Sequence, residues 1–480
     1  MSDSRIASAA TGTETEGYRT ETDSLGEVRV PASALYGAQT QRAKDNFPIS
    51  GVPFSRRFIE ALGTIKAACA RANRDLGLLD PAKADAIAAA AERVRSGELD
   101  AHFPLDIYQT GSGTSTNMNA NEVLAHVAAE ALGGGAGTKA VHPNDDVNMG
   151  QSSNDVIPTA MHVAARVALE EELIPALTRL AESLEAKAAE FDDVLKSGRT
   201  HLMDATPVRL GQEFGGYAAQ VRKGAERLRG ASEELAELAL GGTAVGTGIN
   251  RPPEFPKRAI AYIAEMTGHA FREADDHFEA QSAKDAYVSA AGTLNTVAVS
   301  LMKIANDIRW MGSGPTSGIG ELLLPSLQPG SSIMPGKVNP VMSEALMMVC
   351  ARVMGNAVTI TVSGSHGNFE LNVMMPVMAH AMLESISILA NAAEAFRAKC
   401  VDGLQANRER ARELLERNPA IATALNAEIG YDAAAKVAKQ AAAEGRSVRD
   451  VLRASALIPE ERLDEVLDVR SMTEPGIPGQ

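Results

Sequence analysis

Residues 330–340 read Gly-Ser-Ser-Ile-Met-Pro-Gly-Lys-Val-Asn-Pro, and this stretch says most about the chemistry of the chain. The hydroxyls of Ser331 and Ser332 are followed by the ammonium of Lys337 and the carboxamide of Asn339. Two prolines lack an N–H and two glycines permit φ > 0, so neither a helix nor a central strand fits. The expectation is an irregular loop presenting donors and one positive charge, a kind of segment that often carries function. A phosphate-binding P-loop is excluded. It needs four residues between its glycines and Ser or Thr after the lysine, whereas five separate Gly330 from Gly336 and Val338 follows Lys337. No Gly-x-Gly-x-x-Gly follows a predicted strand, so nucleotide binding is rejected.

Three further polar segments stand out. Thr110-Gly-Ser-Gly-Thr-Ser-Thr-Asn117 offers hydroxyls and open backbone amides before a helical pattern, which suits either an anion cradle or a plain N-cap cluster. His142-Pro-Asn-Asp-Asp146, followed by Gln151-Ser-Ser-Asn-Asp155, is dense in donors and suits either a binding segment or a loop with Asx-turns. Thr200-His201, with Asp204 close behind, falls between two long helices, and a lone histidine there is structural as readily as catalytic.

The elements that must position these segments are mostly helical. Leu173, Leu177, Leu180 and Leu184 form one stripe; Leu294, Val297, Leu301, Ile304 and Ile308 form a second with coiled-coil-like spacing. Val299 and Met302 lie off that second stripe, so its helix must sit deep in a core or be covered by other subunits. Further helices are expected over about 207–240, 340–362 and 369–403, and Pro175 should kink the first one. A short strand is expected at Glu27–Val30. Five long helices in a row predict an elongated bundle with apolar faces to cover, hence a symmetric homo-oligomer.

Composition narrows the class. Of 480 residues, 45% are hydrophobic but only 4% aromatic, so aliphatic side chains and alanine must build the core. A net charge of −15 argues against nucleic-acid binding. Cys69, Cys350 and Cys400 lack metal or disulfide spacing and read as small buried hydrophobes in a reducing compartment. Residues 1–16 read as a disordered tail without signal-peptide character, and no unbroken apolar run predicts a membrane span. A cytoplasmic protein is expected. Asp275-Asp276-His277 reads as a solvated turn and no metal site is expected.

Taken together, Ser152-Ser153-Asn154, Thr200-His201 and residues 330–340 resemble class II fumarases of the fumarase/aspartase superfamily. The resemblance runs from Tyr36-Gly-Ala-Gln-Thr40 to Gly364-Ser-His-Gly-Asn-Phe-Glu-Leu-Asn372 and covers all but the first sixteen or so residues. It implies a mainly α, three-domain fold, with residues 17–149, 150–404 and 405–480 as its domains. The central helices would build a tetramer core. Ser331 would be the catalytic base, Lys337 and Asn339 would hold the reacting carboxylate, and His201 with Glu344 would act on the water side. Ser112, Thr114, Ser152, Ser153, Asn154, Thr200 and Ser332 would bind substrate, while Lys139, His142, Asn144 and Asp145 match a second anion site. The implied reaction is reversible addition of water to fumarate giving L-malate, with no cofactor and each site shared by three subunits. Aspartate ammonia-lyases typically carry Gln and Ala where this chain has His201 and Gly336, so that alternative ranks second. A catalytically silent relative ranks last, because Ser331, Lys337 and His201 are all present. Gly150, Met203, Met342-Ser343 and His366 depart from the commonest family pattern.

Overall fold

The structure, a computed structural model, describes residues 17–134 and 140–477; the expected tail and Lys139 lie outside the described residues. Strands β1 (Tyr18–Asp23) and β2 (Gly26–Pro31) pair antiparallel from Tyr18↔Pro31 to Asp23↔Gly26. The expected strand at Glu27–Val30 lies inside β2. Helices α1 (Arg56–Asp75), α2 (Thr114–Ala131) and α3 (Ser153–Ala168) follow.

Pro175 does not kink a continuous helix, which corrects the expectation. Helix α3 gives way to a π turn at Leu169–Leu173, and α4 (Ile174–Glu190) begins afresh with Pro175 in its first turn. A first-turn position has no i→i−4 donor to lose, so the proline is accommodated without a bend inside the helix. A hairpin then intervenes, made of β3 (Leu195–Thr200) and β4 (Met203–Arg209).

The remaining long helices are α5 (Leu210–Glu234), α6 (Asp285–Met311), α7 (Val341–Gly364) and α8 (Met375–Lys399). A minimal hairpin of β5 (Gly367–Asn368) and β6 (Leu371–Asn372) takes the residues where α8 was expected to start. The fold is mainly α with five long helices along the middle of the chain, the first broken by the π turn. Near the C-terminus lie α9 (Tyr431–Glu444) and α10 (Val448–Ser455), whose Val437, Val451 and Leu452 join an apolar cluster with Leu425, Leu463 and Val466.

Contacts divide the chain into two compact units that each draw on several segments. One comprises the described residues of 17–168, 233–289 and 358–384; the other comprises those of 169–232, 290–357 and 385–477. In the first, α1 packs against α3 and the helix Pro81–Arg95, and fourteen of its residues are buried. In the second, the stripe Leu177, Leu180 and Leu184 is fully buried, as are Ile304 and Ile308. Each such side chain contributes roughly 2 kcal/mol through apolar burial. Helices α5 and α6 run antiparallel there: a Cβ on Gly224 would lie 3.2 Å from Val297, and Tyr217 donates to Asp307 at 3.0 Å.

Cys69, Cys350 and Cys400 are buried and free, as expected. Helices α6 and α7 are long and apolar enough, by length and composition alone, to cross a membrane, a test that core helices also pass. One other expectation needs correction. His277 is not in a solvated turn: its ring bonds Ala239 O and Glu273, both at 3.0 Å, while Asp275 and Asp276 stay exposed.

Candidate active site

The 330–340 segment is a loop folded onto itself. Gly330 donates to Lys337 O at 2.8 Å, and a Cβ on Gly330 would fall 2.3 Å from that oxygen, so only glycine permits the closure. Gly336 turns the chain at φ +77°, the left-handed region that glycine enters without strain. Inside this ring the Ser331 hydroxyl oxygen accepts from two backbone amides, Met334 N at 2.9 Å and Ile333 N at 3.2 Å. Two fixed donors on one oxygen stabilise negative charge there. Lys337 Nζ donates to Asn339 Oδ1 at 2.8 Å, and Asn339 Nδ2 donates to Gly330 O at 2.6 Å. Among the described residues no carboxylate pairs with Lys337, so its charge is available. Ser332 is exposed on the same loop.

Thr200 and His201 sit at the tip of the β3–β4 hairpin. Thr200 pairs with Met203, which leaves His201 and Leu202 as a two-residue turn with φ of +58° and +60°. That conformation is the usual preserve of Asn-Gly, and a histidine and a leucine hold it at a cost of about 1–2 kcal/mol each. The strain persists because the strand beneath is anchored. Arg199 grips the fully buried Glu321 through two bonds of 2.8 Å, and buried Lys196 lies 2.9 Å from Glu213 and 3.4 Å from Glu321. Glu321 in turn raises the Arg199 pKa, whereas burial raises that of Glu213. His201 and Glu344 are both exposed, and no ion pair joins them within the chain.

The other expected residues cluster in the first compact unit. Gly113 caps α2 at φ +73°, and beside it Ser112 and Thr114 share a hydroxyl–hydroxyl bond of 2.7 Å. Gly111 lies flat on the Val373 carbonyl, where a Cβ would come within 1.7 Å. At the start of α3, Asn154 N donates to Ser152 Oγ at 3.2 Å, and Asn117 Nδ2 donates to Ser153 Oγ at 3.0 Å. Buried Asp155 ties this turn to the next loop, accepting from Ser152 N, Gly241 N and Thr243 N at 2.9–3.0 Å. Asn154 Nδ2 reaches Ala244 O at 2.7 Å.

Of the residues expected at a second anion site, His142, Asn144 and Asp145 are described. The His142 ring accepts from Asp145 N at 3.1 Å, and His142 N donates to Asp146, which also pairs with Lys83 at 2.8 Å. Asn144 and His142 line an open cavity together with Arg19 and His126. Among the described residues no group of His, Cys, Asp and Glu is placed to hold a metal ion.

The lyase family matches residues 26–355, and a family described as the fumarase C C-terminus matches residues 421–474. A class II fumarate hydratase of Halobacterium salinarum is 58% identical over 96% of this chain and 98% of its own length. Its counterpart from Corynebacterium efficiens is 55% identical over 95% of this chain and 96% of its own length. The chain belongs to the class II fumarase family.

Among solved structures, the class II fumarase of Schistosoma mansoni matches with a TM-score of 0.93 at 38% identity, over 96% of this chain and all of that one. Within this fumarase frame, two buried clusters are not apparent from the sequence motifs. One is the Arg199–Glu321 pair, whose partners are 122 residues apart, so no local pattern reveals it. The other surrounds Lys66 on α1, which is 0% exposed and donates to Asn148 Oδ1 and Gln151 Oε1. A signal for it is present in the sequence, as a single lysine inside Gly-Thr-Ile-Lys-Ala-Ala-Cys. Of the departures from the family pattern, Gly150 is explained: it sits at φ +72°, where serine would be strained.

Proposed function

We propose that this fumarase-family chain catalyses the reversible hydration of fumarate to L-malate, with Ser331 as the proton-abstracting base. The carrying observation is the Ser331 oxygen held by two backbone N–H donors on the same loop as Lys337, which pairs with no carboxylate among the described residues. In the dehydration direction, Ser331 as alkoxide takes the proton from the carbon next to a carboxylate. The electron pair moves into that carboxylate, giving an aci-carboxylate whose extra charge Lys337 and Asn339 stabilise. The hydroxyl then leaves from the adjacent carbon, His201 supplies its proton, and fumarate and water remain. Ser112, Thr114, Ser152, Ser153, Asn154, Thr200 and Ser332 supply donors to the substrate carboxylates. Lys139, His142, Asn144 and Asp145 form a second anion site in this reading.

Assembly into a homotetramer, with each site drawn from three subunits, belongs to the same proposal. Support comes from apolar side chains exposed on the long helices: Val299 on α6, and Met348, Val358 and Val362 on α7, are all more than half exposed. Large apolar side chains left exposed on a long helix mark a candidate interaction face. Exposed His201 and Glu344, which no ion pair joins within the chain, then meet across subunits in this reading. A cytoplasmic location completes the reading, supported by three buried free thiols.

The test follows ultraviolet absorbance of the purified protein with L-malate and, separately, L-aspartate, each with a chelator present. Absorbance rising with malate alone is expected. A rise with aspartate alone moves the chain to the ammonia-lyase branch, and silence with both removes the catalytic reading.

A further inference from the structure

Lys66 is entirely buried, and among the described residues no carboxylate contacts it. Its ammonium bonds two amide oxygens instead, Asn148 Oδ1 at 3.0 Å and Gln151 Oε1 at 2.9 Å. Burying a charge without a contacting counterion is costly, so stability alone does not account for this lysine. What it does achieve is directional. An ammonium only donates, so every group facing it must present an acceptor. Asn148 therefore turns its oxygen toward Lys66, and its Nδ2 goes to Gln151 O at 3.1 Å. That same oxygen faces α2, where Asn117 and Asn121 must both answer with Nδ2, each at 3.2 Å. The Asn117 amide then donates to Ser153 Oγ as well, at 3.0 Å. A hydroxyl that accepts from Asn117 keeps its own proton to donate elsewhere.

We infer that Lys66 is a positioning residue for substrate binding: through Asn148 and Asn117 it fixes Ser153 as an outward donor to a dicarboxylate dianion. The inference rests on the proposed function for the identity of that dianion. Lys66 never touches the substrate. Its protonation state governs how strictly that polarity is enforced: the ammonium can only donate, whereas a neutral amine keeps two N–H donors and adds a lone pair that tolerates a flipped Asn148. Burial lowers the Lys66 pKa to about 8, with Cys69 and Asp155 opposing the shift. These are the titratable groups that face it: Cys69 on its own helix, kept a neutral thiol by burial, and Asp155 of α3. Helix α2 and the 148–151 turn contribute amides only. The polarity is therefore enforced below about pH 8 and relaxed above it.

The experiment measures KM and kcat for L-malate, and affinity for succinate (an unreactive dicarboxylate) by calorimetry, from about pH 7 to about pH 9. In the unsubstituted protein, succinate affinity should fall and KM rise as pH passes about 8. In Lys66→Met, KM should already be raised about tenfold and be flat across that range, with kcat within about twofold. Asn117→Ala cuts the link to Ser153 while leaving Lys66 in place, and should raise KM similarly; it decides the matter if Lys66→Met fails to fold. Unchanged KM and succinate affinity in these variants, or KM, kcat and Tm worsening together, overturns the inference. Succinate binding without any malate turnover overturns the proposed function and leaves Lys66 to be judged by affinity alone; no succinate binding overturns both.

Discussion

The 330–340 loop and the Ser112–Asn154 cradle are both polar, yet they are built on opposite plans. The loop and the His201 hairpin are exposed: Ile333 is 83% and Leu202 65% accessible, and the reactive groups rest on backbone amides and strained turns. The cradle is wired into the interior, with Asn117, Asn121 and Asp155 buried and Lys66 behind them. In the proposed mechanism, the groups that change charge during the reaction sit on these exposed segments. Groups that only bind are fixed in advance, which lowers the ordering cost of each encounter with substrate.

Breaking the reactive side should therefore destroy turnover, and breaking the cradle should weaken binding. The largest effect is expected from Ser331→Ala, which lowers kcat about 10³-fold while light scattering reports the same oligomeric state as the unsubstituted protein. Near-normal turnover would remove Ser331 from the role of base. His201→Asn comes next, with kcat down about 10²-fold and an unchanged melting curve. On the cradle side, Gly111→Ala drives a methyl into the Val373 carbonyl and should cost about 2 kcal/mol, with malate KM raised more than kcat is lowered. If kcat alone falls, the division between the two regions is wrong. Smallest is Leu202→Gly: it relieves one positive φ, and a urea midpoint should report a gain of about 0.5 kcal/mol. Turnover should fall modestly, because the tip that holds His201 loses stiffness.

Much of the architecture is legible in the residues alone. The Leu173–Leu184 stripe shows because a helical period repeats over several turns, and the 330–340 loop shows because Gly and Pro exclude regular elements. The β3–β4 hairpin is not legible: a type I′ turn is normally announced by Asn-Gly, and His201-Leu202 adopts it against local preference, held by a buried pair 122 residues apart. Pro175 misleads for a related reason. A proline signals a missing donor, but whether the helix bends or restarts depends on the π turn before it, which no residue type encodes. The site residues are placed by family resemblance, and the buried support behind them becomes visible only in three dimensions.

The three cysteines have a practical consequence. Burial pushes the Cys350 and Cys400 thiols up to about 12 and the Cys69 thiol higher still, so each resists forming the thiolate that labelling reagents attack. The natural chain is thus a silent background for sulfhydryl chemistry. A single Ile333→Cys substitution would give one reactive handle on the tip of the Ser331 loop. A fluorophore attached there could follow that loop through each turnover without removing any native residue the fold depends on.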